Sequence, residues 1–92
     1  MKNFIVTLFK DSSCDNCKLM QQELLDNPPD AEIRIIHVKY ENGNNRAKLE
    51  NITTFPTIIL FDGENEITRI SGFVSSKTIN EIFERYETES MV

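Results

Sequence analysis

The chain has two cysteines, and they stand close together in the segment Cys14-Asp15-Asn16-Cys17. Thiols at this spacing can close a disulfide with each other, and a Cys-x-x-Cys between a strand and a helix is typical of redox motifs. At the beginning of a helix, unpaired backbone N–H groups and the positive end of the helix dipole favour the thiolate form. We therefore predict Cys14 as the nucleophile of thiol–disulfide exchange and Cys17 as the resolving thiol.

Charged neighbours would modulate the first thiol. Lys18, directly after the motif, and Lys10, before it, would favour the thiolate, whereas Asp15 inside the motif would oppose it. Two other uses of the cysteines stay open. The first is a pair of inert, buried thiols, which is disfavoured because a helix N-terminus is seldom buried. The second is a zinc site, which is disfavoured because tetrahedral zinc needs four ligands and the chain offers only His37 as a nitrogen ligand beside the two cysteines. We therefore expect no metal.

Length and charge limit the classes of function. The chain has 92 residues and a net charge of −5, from 15 acidic and 10 basic side chains. This length fits one domain over 1–92, and an acidic surface does not attract nucleic acid or anionic membranes. The sequence has no segment apolar enough to span a bilayer and no pattern of a signal peptide, so we expect a cytoplasmic protein. In a reducing compartment a cysteine pair is more often catalytic or metal-binding than structural.

Hydrophobic patterning predicts the elements that must position the cysteines. Strands are predicted at 4–9, 33–40, 57–61 and 66–70, and helices at 18–25, 46–50 and from Ser75 or Ser76 onwards. Ser12 or Ser13 is expected to cap the first helix, and the Asn-rich segment 41–45 is expected to be a loop. The apolar residues expected on the inner faces of the first two helices are Cys17, Met20, Leu24 and Leu25, and then Ala47 and Leu49. The tail at 87–92 is expected to be frayed. The aromatic residues expected in or near the core are Phe9, Phe61, Phe73 and Phe83. The order βαβαββα predicts an α/β fold: a four-stranded mixed sheet between two helical layers.

Three segments together resemble the thioredoxin-fold oxidoreductases, in their short thioredoxin or glutaredoxin form. They are Cys14-Asp15-Asn16-Cys17 after the first strand, Phe55-Pro56-Thr57 at the opening of the third strand, and Asp62-Gly63 at a hairpin followed by Gly72. The resemblance covers nearly the whole chain and implies a thioredoxin-like three-layer sandwich. It also implies a cis Phe55–Pro56 bond beside the cysteines. Phe55, Pro56 and Thr54 are then the expected substrate-binding residues.

The sequence also departs from the family pattern. Asp15-Asn16 stands between the cysteines where thioredoxins usually have Gly-Pro, and Leu8 stands where they bury an aspartate behind the second cysteine. His37 occupies the position of a strand lysine near that cysteine, so it is a candidate proton relay for Cys17. A histidine simply hydrogen-bonded in or beside the core is the better-supported alternative.

The resemblance implies a thiol–disulfide oxidoreductase that reduces protein disulfides as a monomer. It needs no bound cofactor, because the redox-active group is the Cys14–Cys17 disulfide itself, and its electrons would come from a thioredoxin reductase-like enzyme or from glutathione. Two alternatives remain. One is a glutathione-dependent glutaredoxin, and the other is a thioredoxin-fold module that binds a partner and uses the cysteines as a redox sensor.

Overall fold

A computed structural model of the chain describes residues 3–39 and 41–90, without the side chains of 41–44 and 90. Within these residues the elements are β1 (Phe4–Lys10), α1 (Asp15–Asp26), β2 (Glu32–His37), α2 (Glu41–Leu49), β3 (Thr57–Asp62), β4 (Asn65–Ser71) and α3 (Ser76–Ser90). The predicted order βαβαββα is confirmed. None of the helices in the described part of the chain is long and apolar enough to cross a membrane.

The strand β1 lies inside the sheet, whose strand order is β2-β1-β3-β4. It pairs in parallel with β2 and antiparallel with β3, and β4 pairs antiparallel with the other edge of β3. Residues 4–9 are all buried, because both faces of the sheet are covered and neither needs polar side chains. The predicted mixed four-stranded sheet is therefore confirmed.

Alternate residues of β1 face opposite sides of the sheet, and each side buries its own core. The larger core takes alternate residues of β1 and the inner faces of α1 and α3: Phe4, Val6, Leu8, Met20, Leu24, Ile79 and Phe83. On the other side, Phe9 packs in a smaller cluster with Ile59 of β3 and Ala47 of α2. The helices α1 and α3 therefore cover one face and α2 covers the other, which gives the expected three layers.

The helix α2 differs from its prediction. The Asn-rich segment 41–45, expected to be a loop, forms the first half of this helix, which begins at Glu41 rather than at 46. Asn and Gly are weak helix formers, so local propensity favoured a loop. The connection from β2 to β3, however, has to cover the smaller apolar cluster, and Ala47 of α2 is buried in that cluster. Leu49, predicted as an apolar contact of this helix, is 80% exposed.

Two element ends also differ from the sequence prediction. The strand β2 stops at His37, which is paired with Lys10, the last residue of β1; the N–H of Val38 still donates to the carbonyl of Lys10 at 3.0 Å, and the chain then turns. Position 40, included in the predicted strand, lies outside the described residues. The helix α3 continues to Ser90, past the point at 87 where fraying was expected.

Candidate redox site

The helix α1 begins directly after Cys14, which is its N-cap. Cys14 has an extended backbone with φ −108° and ψ 111°, and its Sγ accepts a hydrogen bond from the N–H of Cys17 at 3.1 Å. The predicted caps, Ser12 and Ser13, instead lie exposed in the preceding turn. A sulfur thus takes the position that a Ser or Asp oxygen usually holds, and it satisfies one of the free N–H groups of the first turn.

The two cysteines form a disulfide, with 5.2 Å between their Cα atoms. They are not equally accessible. Cys14 is partly exposed, whereas Cys17 is fully buried on the inner face of α1 with Met20 and Leu24. An incoming group can therefore reach the sulfur of Cys14 but not that of Cys17.

The strands β1, β2 and β4 end, and β3 begins, at the same end of the sheet, and the disulfide lies just beyond β1 at this end. Lys10, the last residue of β1, is opposite His37, the last residue of β2, and Phe9 is opposite Thr57, the first residue of β3. Thr57 is in turn opposite Ser71, the last residue of β4. The cysteine turn, the segment before β3 and the segment after β4 therefore converge at one end of the molecule.

The segment before β3 contains the expected substrate-binding residues. The Phe55–Pro56 bond is cis, as the resemblance implies, and the Pro56 side chain is buried. Phe55 is partly exposed, and Thr54 is exposed, with its carbonyl accepting a hydrogen bond from the hydroxyl of Thr57 at 2.7 Å. The N–H of Gly72 donates to the carbonyl of Pro56 at 2.9 Å, which ties this segment to the end of β4.

The predicted modulators lie at the same edge. Lys18 and Asp15 are exposed on the first turns of α1, and the ammonium of Lys10 donates to the side-chain oxygen of Gln21. His37 is partly buried at the end of β2, where its Nδ1 accepts the N–H of Lys39 at 3.1 Å. This local contact does not distinguish the proton relay from the structural alternative for the histidine.

Leu8 is fully buried where thioredoxins are expected to carry an aspartate. The apolar side chain stands in the core that also contains Met20 and Leu24. The core beneath the disulfide is therefore apolar at this position. Within the part of the chain that the structure describes, no three His, Cys, Asp or Glu residues are grouped so that they could hold a metal ion.

Sequence reasoning missed the segment between β4 and α3. Phe73 was expected in or near the core but is 51% exposed. The backbone around it is fixed on α1, because the N–H of Val74 contacts the Sδ of Met20 at 3.4 Å and the N–H of Ser76 donates to Glu23 at 2.8 Å. The available signal was the glycine before it: Gly72 has φ +89°, a conformation that suits glycine and that other residues rarely adopt.

A family model described as Thioredoxin-like domain matches residues 1–87. The chain belongs to this family. Among solved structures, thioredoxin 1 from the thermophilic eubacterium Thermosipho africanus is 27% identical, with a TM-score of 0.72, covering 96% of this chain and 99% of that one. Thioredoxin-2 of the malaria parasite is 18% identical, with a TM-score of 0.76, covering 91% and 84%.

Mitochondrial thioredoxin 3 from Saccharomyces cerevisiae is similar in fold as well, at 24% identity and a TM-score of 0.72, covering 91% of this chain and 80% of that one. None of the curated protein sequences matches this chain. The family and the fold, together with the Cys14–Cys17 disulfide, support thiol–disulfide exchange as the chemistry of this site.

Proposed function

We propose that the protein is a small thiol–disulfide oxidoreductase that reduces disulfides in protein substrates through Cys14 and Cys17. The main support is the unequal placement of the two sulfurs: Cys14 is partly exposed at the N-cap of α1, and Cys17 is fully buried one turn later. Membership in the thioredoxin-like family supports the same chemistry.

In the proposed reaction, the Cys14 thiolate attacks one sulfur of the substrate disulfide. That S–S bond breaks, a mixed disulfide forms on Cys14, and the first substrate sulfur leaves as a thiolate. The Cys17 thiolate then attacks the Sγ of Cys14, and the second substrate sulfur leaves. The substrate gains two electrons and two protons, and the protein is left with the Cys14–Cys17 disulfide.

The first turn of α1 supports the first step. The N–H of Cys17 points at the Sγ of Cys14, at 3.1 Å, and this donor stabilises negative charge on the sulfur. The helix dipole acts in the same direction. Asp15 is exposed, so water screens its opposing charge.

The second step needs the proton of Cys17 to leave a buried site. Leu8, fully buried where thioredoxins carry an aspartate, offers no acceptor. Water, the departing substrate thiolate and His37 are then the groups left to accept the proton. We therefore expect resolution by Cys17, rather than attack by Cys14, to be the slow step of turnover.

Trapping tests the roles of the two cysteines. Cys17→Ser should leave the mixed disulfide on Cys14 unresolved, so that substrate proteins remain attached in a non-reducing gel and are released by dithiothreitol. The matched control, Cys14→Ser, should trap nothing, because its remaining thiol is buried. Equal trapping by the two variants would contradict the assignment of Cys14 as nucleophile.

The electron donor is tested with the unmodified protein. We propose a thioredoxin reductase-like enzyme, in line with the similarity to the Thermosipho africanus thioredoxin. Reduction of insulin by the protein with NADPH and thioredoxin reductase is the expected result. Activity only with glutathione and a glutathione mixed disulfide would instead identify the protein as a glutaredoxin.

A further inference from the structure

The backbone groups of Phe55 are available for pairing with another chain. Among the described residues, neither the N–H nor the carbonyl of Phe55 is hydrogen-bonded to another part of the protein. Its neighbour Pro56 differs, because Pro56 is buried and its carbonyl accepts the N–H of Gly72 at 2.9 Å. Phe55 is partly exposed just before β3, at the end of the sheet where the cysteine turn follows β1. An extended substrate chain can therefore form backbone hydrogen bonds there.

Three hydroxyl groups bracket Phe55 and Pro56. We call them the hydroxyl cluster; they belong to Thr54, Thr57 and Ser71, the last residue of β4. The hydroxyl of Thr57 donates to the carbonyl of Thr54 at 2.7 Å, which closes the turn across Phe55 and Pro56. The hydroxyl of Thr54 lies 3.3 Å from that of Ser71 and 3.5 Å from that of Thr57. The turn is thus held both from β3 and from β4.

The hydrogen bond from Thr57 also determines where the N–H of Phe55 points. The carbonyl of Thr54 and the N–H of Phe55 belong to one planar trans peptide group, so they point in opposite directions. Because the carbonyl is turned toward the hydroxyl of Thr57, the N–H is turned away from this buried side chain. The N–H is therefore left available to an acceptor on a substrate.

Thr57 is the rigid member of the hydroxyl cluster. It is 5% exposed, and it pairs with Phe9 of β1 on one side and with Ser71 of β4 on the other. A hydroxyl carries one proton, and Thr57 uses it on the Thr54 carbonyl, so the Thr54 hydroxyl is the donor in the contact between the two threonines. A buried hydroxyl without a partner is costly, and this cost disfavours every conformation of the turn that breaks the bond.

We propose that Thr57 is a positioning residue for the binding of peptide substrates. It does not touch the substrate; by holding the carbonyl of Thr54 it fixes the orientation of the Phe55 N–H before the substrate binds, which lowers the ordering cost of binding. Ser71 assists through the hydroxyl of Thr54. This inference rests on the proposed function, because positioning acts only on a substrate that reacts at Cys14.

The experiment follows the first step of exchange alone. The substrate is a short blocked peptide whose single cysteine is in a disulfide with thionitrobenzoate. Attack by the Cys14 thiolate on the peptide sulfur forms the mixed disulfide and releases coloured thionitrobenzoate. Reduced protein, freed of dithiothreitol, is mixed with excess peptide, and the dependence of the rate on peptide concentration separates the half-saturating concentration from the maximal rate. Dithiobisnitrobenzoate, which has no peptide chain, is the reference disulfide.

Thr57→Val removes the hydroxyl and keeps the shape of the side chain. It should raise the half-saturating concentration of the peptide about fivefold and change the maximal rate much less. Thr57→Ser keeps the hydroxyl and should bind the peptide as the unmodified protein does. Thr7→Val is the matched control, because Thr7 is also buried, at 1% exposure, and lies two residues before Phe9, so it is on the sheet face of Thr57. It should leave the half-saturating concentration unchanged.

A second peptide separates positioning from a general loss of stability. It has the same sequence but is N-methylated on the residues next to its cysteine, so its backbone cannot pair with Phe55. It should bind more weakly than the first peptide to the unmodified protein, and Thr57→Val should not weaken its binding further. Thermal unfolding checks that each variant is folded. If Thr57→Val does not fold, Ser71→Ala carries the test, with an expected rise of about twofold for the first peptide.

The outcomes distinguish the proposals. The positioning role would be overturned if Thr57→Val and Thr7→Val changed the half-saturating concentration equally, or if Thr57→Val weakened binding of both peptides by the same factor. With Ser71→Ala in use, no rise for the first peptide would overturn it. None of these results affects exchange at Cys14. Failure of the unmodified protein to react with dithiobisnitrobenzoate would instead overturn the proposed function itself.

Discussion

Glu23 connects the redox helix α1 to the helix α3, and its replacement tests this connection. One of its carboxylate oxygens accepts the N–H of Ser76, the first residue of α3, at 2.8 Å, and the other accepts the amide of Asn27 at 3.0 Å. The N–H groups of a first helical turn have no partner within their own helix. Glu23 therefore supplies from α1 an acceptor and a negative charge that α3 needs.

The expected size follows from two opposing effects. A hydrogen bond to a charged group contributes about 1.5–3 kcal/mol, and Glu23→Gln keeps an acceptor but removes the charge, so about half is lost. Against this, Glu23 lies in the last turn of α1, where a negative charge costs a few tenths of a kcal/mol. The charge at α3 dominates, and we expect Glu23→Gln to lower the free energy of unfolding by about 1 kcal/mol.

The assay is thermal and urea unfolding of the oxidised protein at neutral pH. For a domain of this size, a loss of about 1 kcal/mol lowers Tm by about 4–8 °C. Glu23→Ala, which leaves the N–H of Ser76 without this acceptor, should cost about 2 kcal/mol. Asp26→Asn is the control, because Asp26 is exposed at the end of α1 and its side chain accepts a hydrogen bond from Gln22 of the same helix; it should be neutral or slightly stabilising.

High salt should reduce the difference in Tm between the unmodified protein and Glu23→Gln, because salt screens the charge of the carboxylate. The explanation would be refuted if Glu23→Gln and Asp26→Asn changed Tm equally, or if Glu23→Gln had the same Tm as the unmodified protein at low salt. In either case the carboxylate would not stabilise the N-terminus of α3.

Three further predictions concern the core, the sheet edge and the C-terminal helix. Leu24→Ala should lower the free energy of unfolding by about 2–5 kcal/mol because Leu24 is fully buried, whereas Leu25→Ala, at 58% exposure, should change it by less than about 0.5 kcal/mol in the same urea titration. His37→Gln should leave the pH profile of disulfide exchange unchanged; a shifted profile would make the histidine a proton relay. The hydroxyl of Tyr86 donates a hydrogen bond to Asp62, and this bond raises the pKa of Tyr86. The stability that the bond gives to the folded protein is therefore fully present below the ordinary pKa of tyrosine, and it is lost as pH rises through the raised pKa. Tyr86→Phe should therefore be less stable than the unmodified protein at neutral pH, and this difference should vanish at strongly alkaline pH.

Local signals in the sequence were sufficient for much of the fold. The continuous apolar run at 4–9 predicted a strand covered on both faces, and the Asp62-Gly63 turn predicted the hairpin that joins β3 to β4. The helical spacing of Cys17, Met20 and Leu24 predicted the buried face of α1, whereas Leu25, which was placed on the same face, is 58% exposed. These features depend on short-range periodicity and turn chemistry, which the sequence displays directly.

Other features depend on packing between distant segments, and the sequence did not reveal them. The start of α2 has weak helix formers, and the helix there covers a core that β1 and β3 supply. The serines before Cys14 suggested an oxygen cap, yet Cys14 itself is the N-cap. Phe73 is a large apolar residue and was therefore expected in the core, but it is 51% exposed between Gly72, which has a positive φ, and Val74, whose backbone contacts Met20.

The central claim is that Cys14 is the reactive thiol and Cys17 the shielded one, and its most direct test is alkylation of the reduced protein. Limiting iodoacetamide at neutral pH, followed by peptide mass analysis over time, gives the rate at each sulfur. We predict faster modification of Cys14, because Cys14 is partly exposed at the N-cap and Cys17 is fully buried. Equal rates, or faster modification of Cys17, would contradict this account.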